Sequence, residues 1–406
     1  MRALPSDCYH GPFMRLRVSA CVVALVGALS QPAVAEVRGL WVVRTALESP
    51  ASVDRVVDQA QAAGFNALFV QVRGRGDAFY DSRLVLRSPL LAGQPRNFDP
   101  LARLLDRARG RGLQVHAWVN VLLAAHFTPL PAGHVLERHP DWLMVPKSAA
   151  RAALAPRAQV VEVVREAGRA DTEVEGFYLS PVAPGVAEHL ESVVRELLRD
   201  YKVDGLHFDF IRYPSRDYDY SRAALEGFRQ RQGWTGDPLG APAADPEAWA
   251  RYRRDVLTAL AGRLARAARS ERLSAIVSAA VVPDEATAVQ VKGQAWPAWL
   301  ARGILDAVCP MSYTPDNALF AEQVRQVREL AGASGRNVWA GIGSYRLTVE
   351  GTIEKIGLAR TAGANGVVLF SHESFGPSDF RRLREVAFLP GARAAGHGVA
   401  GGAGRR

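Results

Sequence analysis

Cysteine is nearly absent from this chain. Of three in 406 residues, Cys8 and Cys21 precede residue 36 and only Cys309 lies in the body. The body therefore has no internal disulfide, and a buried core must hold it. Lysine is scarce as well, found only at Lys147, Lys202, Lys292 and Lys355. The remaining basic residues are Arg, and they alternate with Asp and Glu along helix-like stretches. Arg2, Arg15 and Arg17 against Asp7, together with Arg393, Arg405 and Arg406, account for five of the nine net positive charges, leaving +4 on the body. That pattern reads as a solvated surface and argues against a nucleic-acid partner. No Gly-rich phosphate loop follows a strand, because Arg73-Gly-Arg-Gly-Asp77 enters no helix. A serine nucleophile elbow is missing too. His116-Ala-Trp118 lacks a second His, and His207-Phe-Asp209 supplies a single His–carboxylate pair, so neither a metal site nor a cofactor is expected.

Long apolar runs are also missing. The one at 18–29 has twelve residues, short of the ~20 that cross a bilayer. With Met14-Arg-Leu-Arg17 before it and Ala33-Val-Ala35 after it, it has the three parts of an export signal removed before Glu36, with Met14 as the start. The mature chain is then expected in the periplasm or outside the cell, without stable membrane insertion. Cys21 lies inside the apolar run without a lipoprotein context around it, so lipid anchoring there is the lesser alternative. The segment 390–406 is Gly/Ala-rich and is expected to be disordered.

What is present between these ends is an alternation of short apolar runs with longer amphipathic ones. Strands are expected to begin near Val37, Ala67, Gln114, Asp204, Ala275, Asp306, Val338 and Gly366. Val53, Val56, Val57 and Ala60 have helical spacing, as do Leu101, Leu104, Leu105 and Ala108, with Asp99 as cap and Pro100 at the first position. Eight strand-then-helix units over 36–389 predict a single (β/α)8 barrel. The third and fourth units are too long, which places long loops after strands 3 and 4. The residues at 177–181 read as an extended lead-in to a helix at 186–201, and two further helices are expected at 221–232 and 247–269.

Alternate residues of a barrel strand point inward. By that parity Gln71 and Arg73, then Trp118 and Asn120, then His207 and Asp209 face the lumen at three consecutive strand ends. An interior that served folding alone would be branched and apolar, since polar groups there carry a desolvation penalty. Asp209 beside Arg212 and Tyr213 reads as an ionised nucleophile or stabiliser of positive charge. Glu373, at the end of strand 8, is the best second carboxylate, with Asp316, Asp284 and Glu285 as competitors. Trp41, Tyr80, Trp118, Trp142, Tyr213, Tyr313 and Tyr345 crowd the same ends and suit stacking on sugar C–H faces.

Several blocks then become familiar: Arg38-Gly-Leu-Trp41, Val70-Gln-Val-Arg73, Gly76-Asp-Ala-Phe-Tyr80, His116-Ala-Trp-Val-Asn120, His139-Pro-Asp-Trp142, Asp204-Gly-Leu-His-Phe-Asp209, Ile211-Arg-Tyr-Pro214, and Phe370-Ser371 with Glu373. Together they resemble the family-ten glycosyl-hydrolase-like proteins over nearly all of 36–388. The resemblance implies a (β/α)8 barrel of the bacterial envelope that acts on glycans, some members hydrolysing peptidoglycan strands stripped of peptides. It also implies acidic roles for Asp209 and Glu373 and polar ones for Arg73, Asp77, Asn120 and His207. The segment after Asn120 lacks the Pro-Tyr-Arg often found there.

The expected function is thus an exported glycoside hydrolase with Asp209 as nucleophile and Glu373 as general acid. Arg73, Asp77, Tyr80, Trp118, Asn120, His207, Tyr213, Tyr313 and Tyr345 would bind an oligo- or polysaccharide. A non-catalytic glycan-binding barrel is the alternative. The export reading has its own check: intact-mass analysis of the envelope or secreted fraction should find a chain beginning at Glu36, and a chain retaining 14–35 without lipid on Cys21 would refute it.

Overall fold

In the computed structural model, residues 36–156 and 159–389 are described. The expected export signal, the start at Met14, Cys8, Cys21 and the tail 390–406 lie outside them. Eight parallel strands form the wall: β1 Val37–Val42, β2 Ala67–Arg73, β3 Gln114–Asn120, β4 Gly205–Asp209, β5 Ile276–Val281, β6 Ala307–Pro310, β7 Asn337–Gly343 and β8 Gly366–Phe370. Each starts within one residue of its expected position. Leu40 of β1 lies opposite both Leu68 of β2 and Leu369 of β8, so the sheet closes on itself.

Helices follow every strand: α1 Pro50–Ala63, α2 Pro100–Ala108, α3 Val186–Asp200, α4 Arg222–Gln232, α5 Pro246–Glu271, α6 Trp296–Ala301, α7 Asn317–Gly332, α8 Val349–Thr361 and α9 Pro377–Arg382. The chain is therefore a (β/α)8 barrel. Local chemistry sets these boundaries. Ser49 accepts from the Ser52 N–H to start α1, and Gly64 ends it in the left-handed region at φ 86. Asp99 accepts from Ala102 N, with Pro100 at the first position of α2. Val53, Val56, Val57 and Ala60 are buried in one cluster with the outward side chains Leu68, Val70 and Val72. Each fully buried Val or Leu side chain of this set contributes about 1.5–3 kcal/mol. No helix among the described residues is long and apolar enough to cross a membrane.

The lumen has its own apolar cluster, Trp41, Ala67, Phe69, Trp118, Ala307, Cys309, Trp339 and Val368. Cys309 is thus walled in, and burial pushes its thiol up. Phe69 stacks on His116 with ring centres 4.7 Å apart, and burial pulls His116 down to about 4, so this imidazole is neutral at physiological pH.

The two long connections follow β3 and β4. One expectation changes here. Phe177–Tyr178 is a short strand, paired antiparallel with Leu123–Ala125, rather than an unpaired lead-in. Both segments are buried, so their backbone groups need partners, and Leu179 N finds Leu122 O at 2.8 Å.

Barrel closure leaves no room at Gly205. A Cβ there would meet the Ile276 carbonyl oxygen at 2.4 Å and His116 Nδ1 at 2.6 Å. Gly205→Ala should therefore destabilise the fold by about 1–3 kcal/mol, read as a lowered midpoint in denaturant unfolding.

Candidate active site

The carboxyl ends of β1 to β6 and β8 surround a cleft of about 330 Å³, walled by Trp41, Trp118, Phe210, Tyr313 and Phe370 and holding Arg44, Gln71, Arg75, Asn120 and Asp209. Tyr313 stacks on Phe370 at 5.6 Å and meets Trp41 edge-on at 6.3 Å. Tyr345, 57 % exposed, extends this wall by edge contacts to Tyr313 and Phe370.

Asn120 faces Asp209 directly across the β3–β4 ladder. Its side chain is committed to its neighbours. Trp118 Nε1 can only donate, so the atom that receives it at 2.9 Å is Oδ1, and Nδ2 donates to the Gly74 carbonyl at 2.8 Å. Asn120 therefore fixes the Trp118 plane and the turn after β2.

His207 lies one inward position below Asp209 and is fully buried, so it does not line the cleft. Trp41 Nε1 donates to its Nε2 at 3.1 Å, which leaves the proton on Nδ1 to be donated to Ser278 Oγ at 2.9 Å. Burial holds the ring well below its ordinary pKa. This neutral histidine acts through Trp41, the aromatic floor above it.

Arg73 is displaced from its expected place. The β2–β3 register slips between Gln71 and Arg73, so Arg73 stands opposite Val119, a residue of the outward face. Such a bulge inverts the parity beyond it. Arg73 is fully buried behind the barrel wall, donating to the backbone carbonyls of Asn120 and Val121. Arg75, two residues on, lines the cleft in its stead.

Other expected residues also lie elsewhere. Tyr80 packs edge-on against Tyr201 at 5.6 Å. Asp77 accepts from Arg75 N at 2.8 Å and shapes that turn. Tyr213 is buried under the Arg253 guanidinium at 4.3 Å. Asp316 and Asp284 are caps, accepting from Leu319 N and Thr287 N, and Glu285 is exposed. The structure therefore gathers Asp209, Trp118, Asn120 and Tyr313 in the cleft, with Tyr345 and Glu373 at its edge. Glu373 is exposed and accepts from Thr45, a cleft residue, at 2.6 Å. Arg44, Arg75, Gln71 and Phe370 also line it. Parity had marked Gln71, whereas Arg44 and Arg75 stand beyond strand ends, where parity no longer applies. Among the described residues no three His, Cys, Asp or Glu side chains gather in a group suited to a metal ion.

The environment of Asp209 differs from the expected ion pair. Arg212 turns away to Glu175 at 2.8 Å and covers the Phe210 ring at 4.8 Å. Burial is the dominant influence and raises the Asp209 carboxyl from 3.8 to about 6, against weaker pulls from Arg212 and the Phe210 N–H, which donates to Oδ1 at 2.7 Å. Phe210 itself sits at φ 51, a left-handed conformation that strains a residue with a large side chain.

A raised carboxyl pKa has a definite sign in stability. The folded chain keeps the Asp209 proton up to about pH 6, whereas the unfolded chain releases it near 3.8. The group's contribution is therefore complete below about pH 4 and is lost as the pH rises through 6, an amount on the order of 3 kcal/mol. Asp209→Asn should accordingly be more stable than the parent at pH 7–8, with the gap shrinking toward pH 4. Denaturant midpoints of both proteins across that range test it.

Comparison with known proteins fits this architecture. The sequence profile of the "Glycosyl hydrolase-like 10" family matches residues 36–344. "Glycosyl hydrolase DigH" of Escherichia coli K12 is 26% identical over 292 residues, covering 67% of this chain and 60% of that protein. "Glycosyl hydrolase YngK" of Bacillus subtilis is 26% identical over 198 residues, or 45% and 34% of the two chains. This chain thus spans about 60% of the length of DigH. Among solved structures, the glycoside hydrolase domain of PgaB (BpsB) from Bordetella bronchiseptica superposes with a TM-score of 0.65 at 17% identity, over 88% of this chain and 99% of that one. The catalytic domain of a Paenibacillus polymyxa β-amylase gives 0.58 at 14%, over 88% and 100%. At such identities the likeness is one of fold. The family match covers most of the chain, and on it the protein belongs to the glycosyl hydrolase-like 10 family.

Proposed function

We propose that this chain is an exported glycoside hydrolase acting on a bacterial polysaccharide, with peptidoglycan glycan strands as a candidate substrate. The observation that carries the reading is a buried carboxyl, Asp209, raised to about 6 inside an aromatic-walled cleft. A group with that proton affinity is poised to give a proton to a leaving oxygen near neutral pH. Trp41, Trp118 and Tyr313 offer the apolar faces on which sugar rings stack. Family membership and relatives named as glycosyl hydrolases support a carbohydrate substrate. Export rests on the charged, apolar and Ala-Val-Ala segments before Glu36, with the periplasm or the exterior as destination.

The roles first assigned to the two carboxylates are exchanged. Burial makes Asp209 the proton donor, and Glu373, exposed and held by Thr45, takes the part of the second carboxylate that works from the cleft edge. A pair of carboxylates in those parts is the common arrangement for hydrolysis through an oxocarbenium-like transition state.

Asp209→Asn and Glu373→Gln should each lower kcat by about 10²–10⁴ while glycan binding is kept. In the parent, kcat/KM should fall as the pH rises above about 6, following loss of the Asp209 proton. A rate that rises through pH 6 would instead restore Asp209 as nucleophile. Glycan binding with no hydrolysis by the parent would establish the binding-barrel alternative.

A further inference from the structure

Two guanidiniums in the cleft have no carboxylate to meet. Arg44 follows β1 and Arg75 lies in the turn after β2, and both line the cavity that holds Asp209. Among the described residues neither forms an ion pair. Arg44 donates only to a neutral partner, the Gln71 amide oxygen, at 3.3 Å from both its backbone N and Nη1. Arg75 is less satisfied still, because its Nε and Nη1 are removed from solvent without any acceptor.

Nearby acids are engaged otherwise. Asp77 takes the Arg75 backbone N–H through Oδ1. Glu175 is held by Arg212 at 2.8 Å and by the Tyr178 hydroxyl at 2.6 Å. Burial, and after it repulsion by Arg44, pulls Arg75 down to about 10, against weaker attraction from Tyr178, Glu175 and Asp77, none of which forms a hydrogen bond with its side chain. Folding alone gives no reason to place two unpaired cations around buried, unsatisfied donors. A guanidinium has only donors, so the missing partner is an acceptor, and the planar fork best matches a carboxylate.

A second basic surface lies on the same end of the barrel. The loops after β3, β4 and β5 enclose a groove of about 550 Å³ whose lining sets five cations against Asp217 and Glu247. Of these cations, Lys147, Arg216 and Arg254 have no carboxylate partner among the described residues. Buried Arg253 donates to the Ser215 and Arg216 carbonyls at 2.9 and 2.8 Å and so fixes the loop bearing Arg216. Seven residues join Asp209 to Arg216, a reach of at most about 25 Å. A chain of sugars bearing charge along its length would meet both surfaces.

Resting on the hydrolase reading above, we propose that the substrate is an acidic glycan and that Arg44 and Arg75 clamp a sugar carboxylate in the cleft. A uronic acid and a lactyl ether on an amino sugar carry the same group. Either would bridge the two forks and satisfy the orphaned Arg75 donors.

Equilibrium binding to the Asp209→Asn protein tests this without turnover. The probes are oligogalacturonate and peptide-free peptidoglycan strands, each beside a counterpart whose carboxyls have been reduced to alcohols. At least one acidic glycan should bind about 10-fold or more tightly than its reduced form. That preference should collapse when Arg75→Gln or Arg44→Gln is added, and the probe that responds identifies the source of the carboxylate. Adding Arg75→Lys, which keeps the charge and loses the fork, should retain part of it, and thermal unfolding of each variant reports that the fold is intact. Equal binding of acidic and reduced glycans, or a preference that survives both Gln substitutions, overturns the proposal. Absence of hydrolysis by the parent bears on the enzyme reading alone, because the binding preference does not depend on it.

Discussion

The in-register pairing of β3 with β4 is the constraint on which the site depends. Trp118 lies opposite His207 and Asn120 opposite Asp209, so two strands deliver matched layers of inward side chains. The lower layer is made dry and neutral by aromatic packing around His116 and His207. The upper layer opens to the cleft. A one-residue shift of either strand in that ladder would send its two inward side chains into the outer apolar shell, which explains why the close approach of Gly205 to Ile276 and His116 matters to a site at the other end of the strand.

Polarity in the lumen is ordered by donor and acceptor count. Trp41 and Trp118 each offer one N–H, received by His207 Nε2 and Asn120 Oδ1. The tautomer of His207 and the orientation of the Asn120 amide follow from that one-way chemistry. Two indole rings are thereby locked at the cleft, Trp41 by a buried group beneath it and Trp118 by a neighbour on the cleft wall. Rigid aromatic walls of this kind lose little conformational entropy when a ligand stacks on them.

Much of this was legible in the sequence, and for physical reasons. Strand starts could be read within a residue because a buried parallel strand is a short, dense apolar run bounded by Gly or polar residues. Parity identified Trp118, Asn120 and Asp209 correctly, since β3 and β4 are regular. It failed for Arg73 because a bulge leaves no mark in composition, and it could not tell that His207 lies a layer too deep. The Arg212 partner was hidden for another reason. Glu175 is 37 residues earlier in a loop whose path no periodicity encodes, so the sequence-adjacent Asp209 looked like the natural partner. Arg44 and Arg75 escaped notice because they follow strands instead of belonging to them.

The bulge at the end of β2 separates two tasks that a regular strand would give to one residue. Arg73 is turned into the wall, where it ties the backbone of β3 by hydrogen bonds to Asn120 and Val121. Arg75 stands between Gly74 and Gly76, with Gly76 at φ 68, on a turn whose shape owes little to the side chain it presents. Position 73 thus carries hydrogen bonds that hold the wall together, while the side chain at position 75 lines the cleft. A scaffold built this way separates, within three residues, the side chain that ties the wall from the one that faces the cavity, and packs the two glycines flanking the latter so closely that a Cβ at either would force a neighbour to shift.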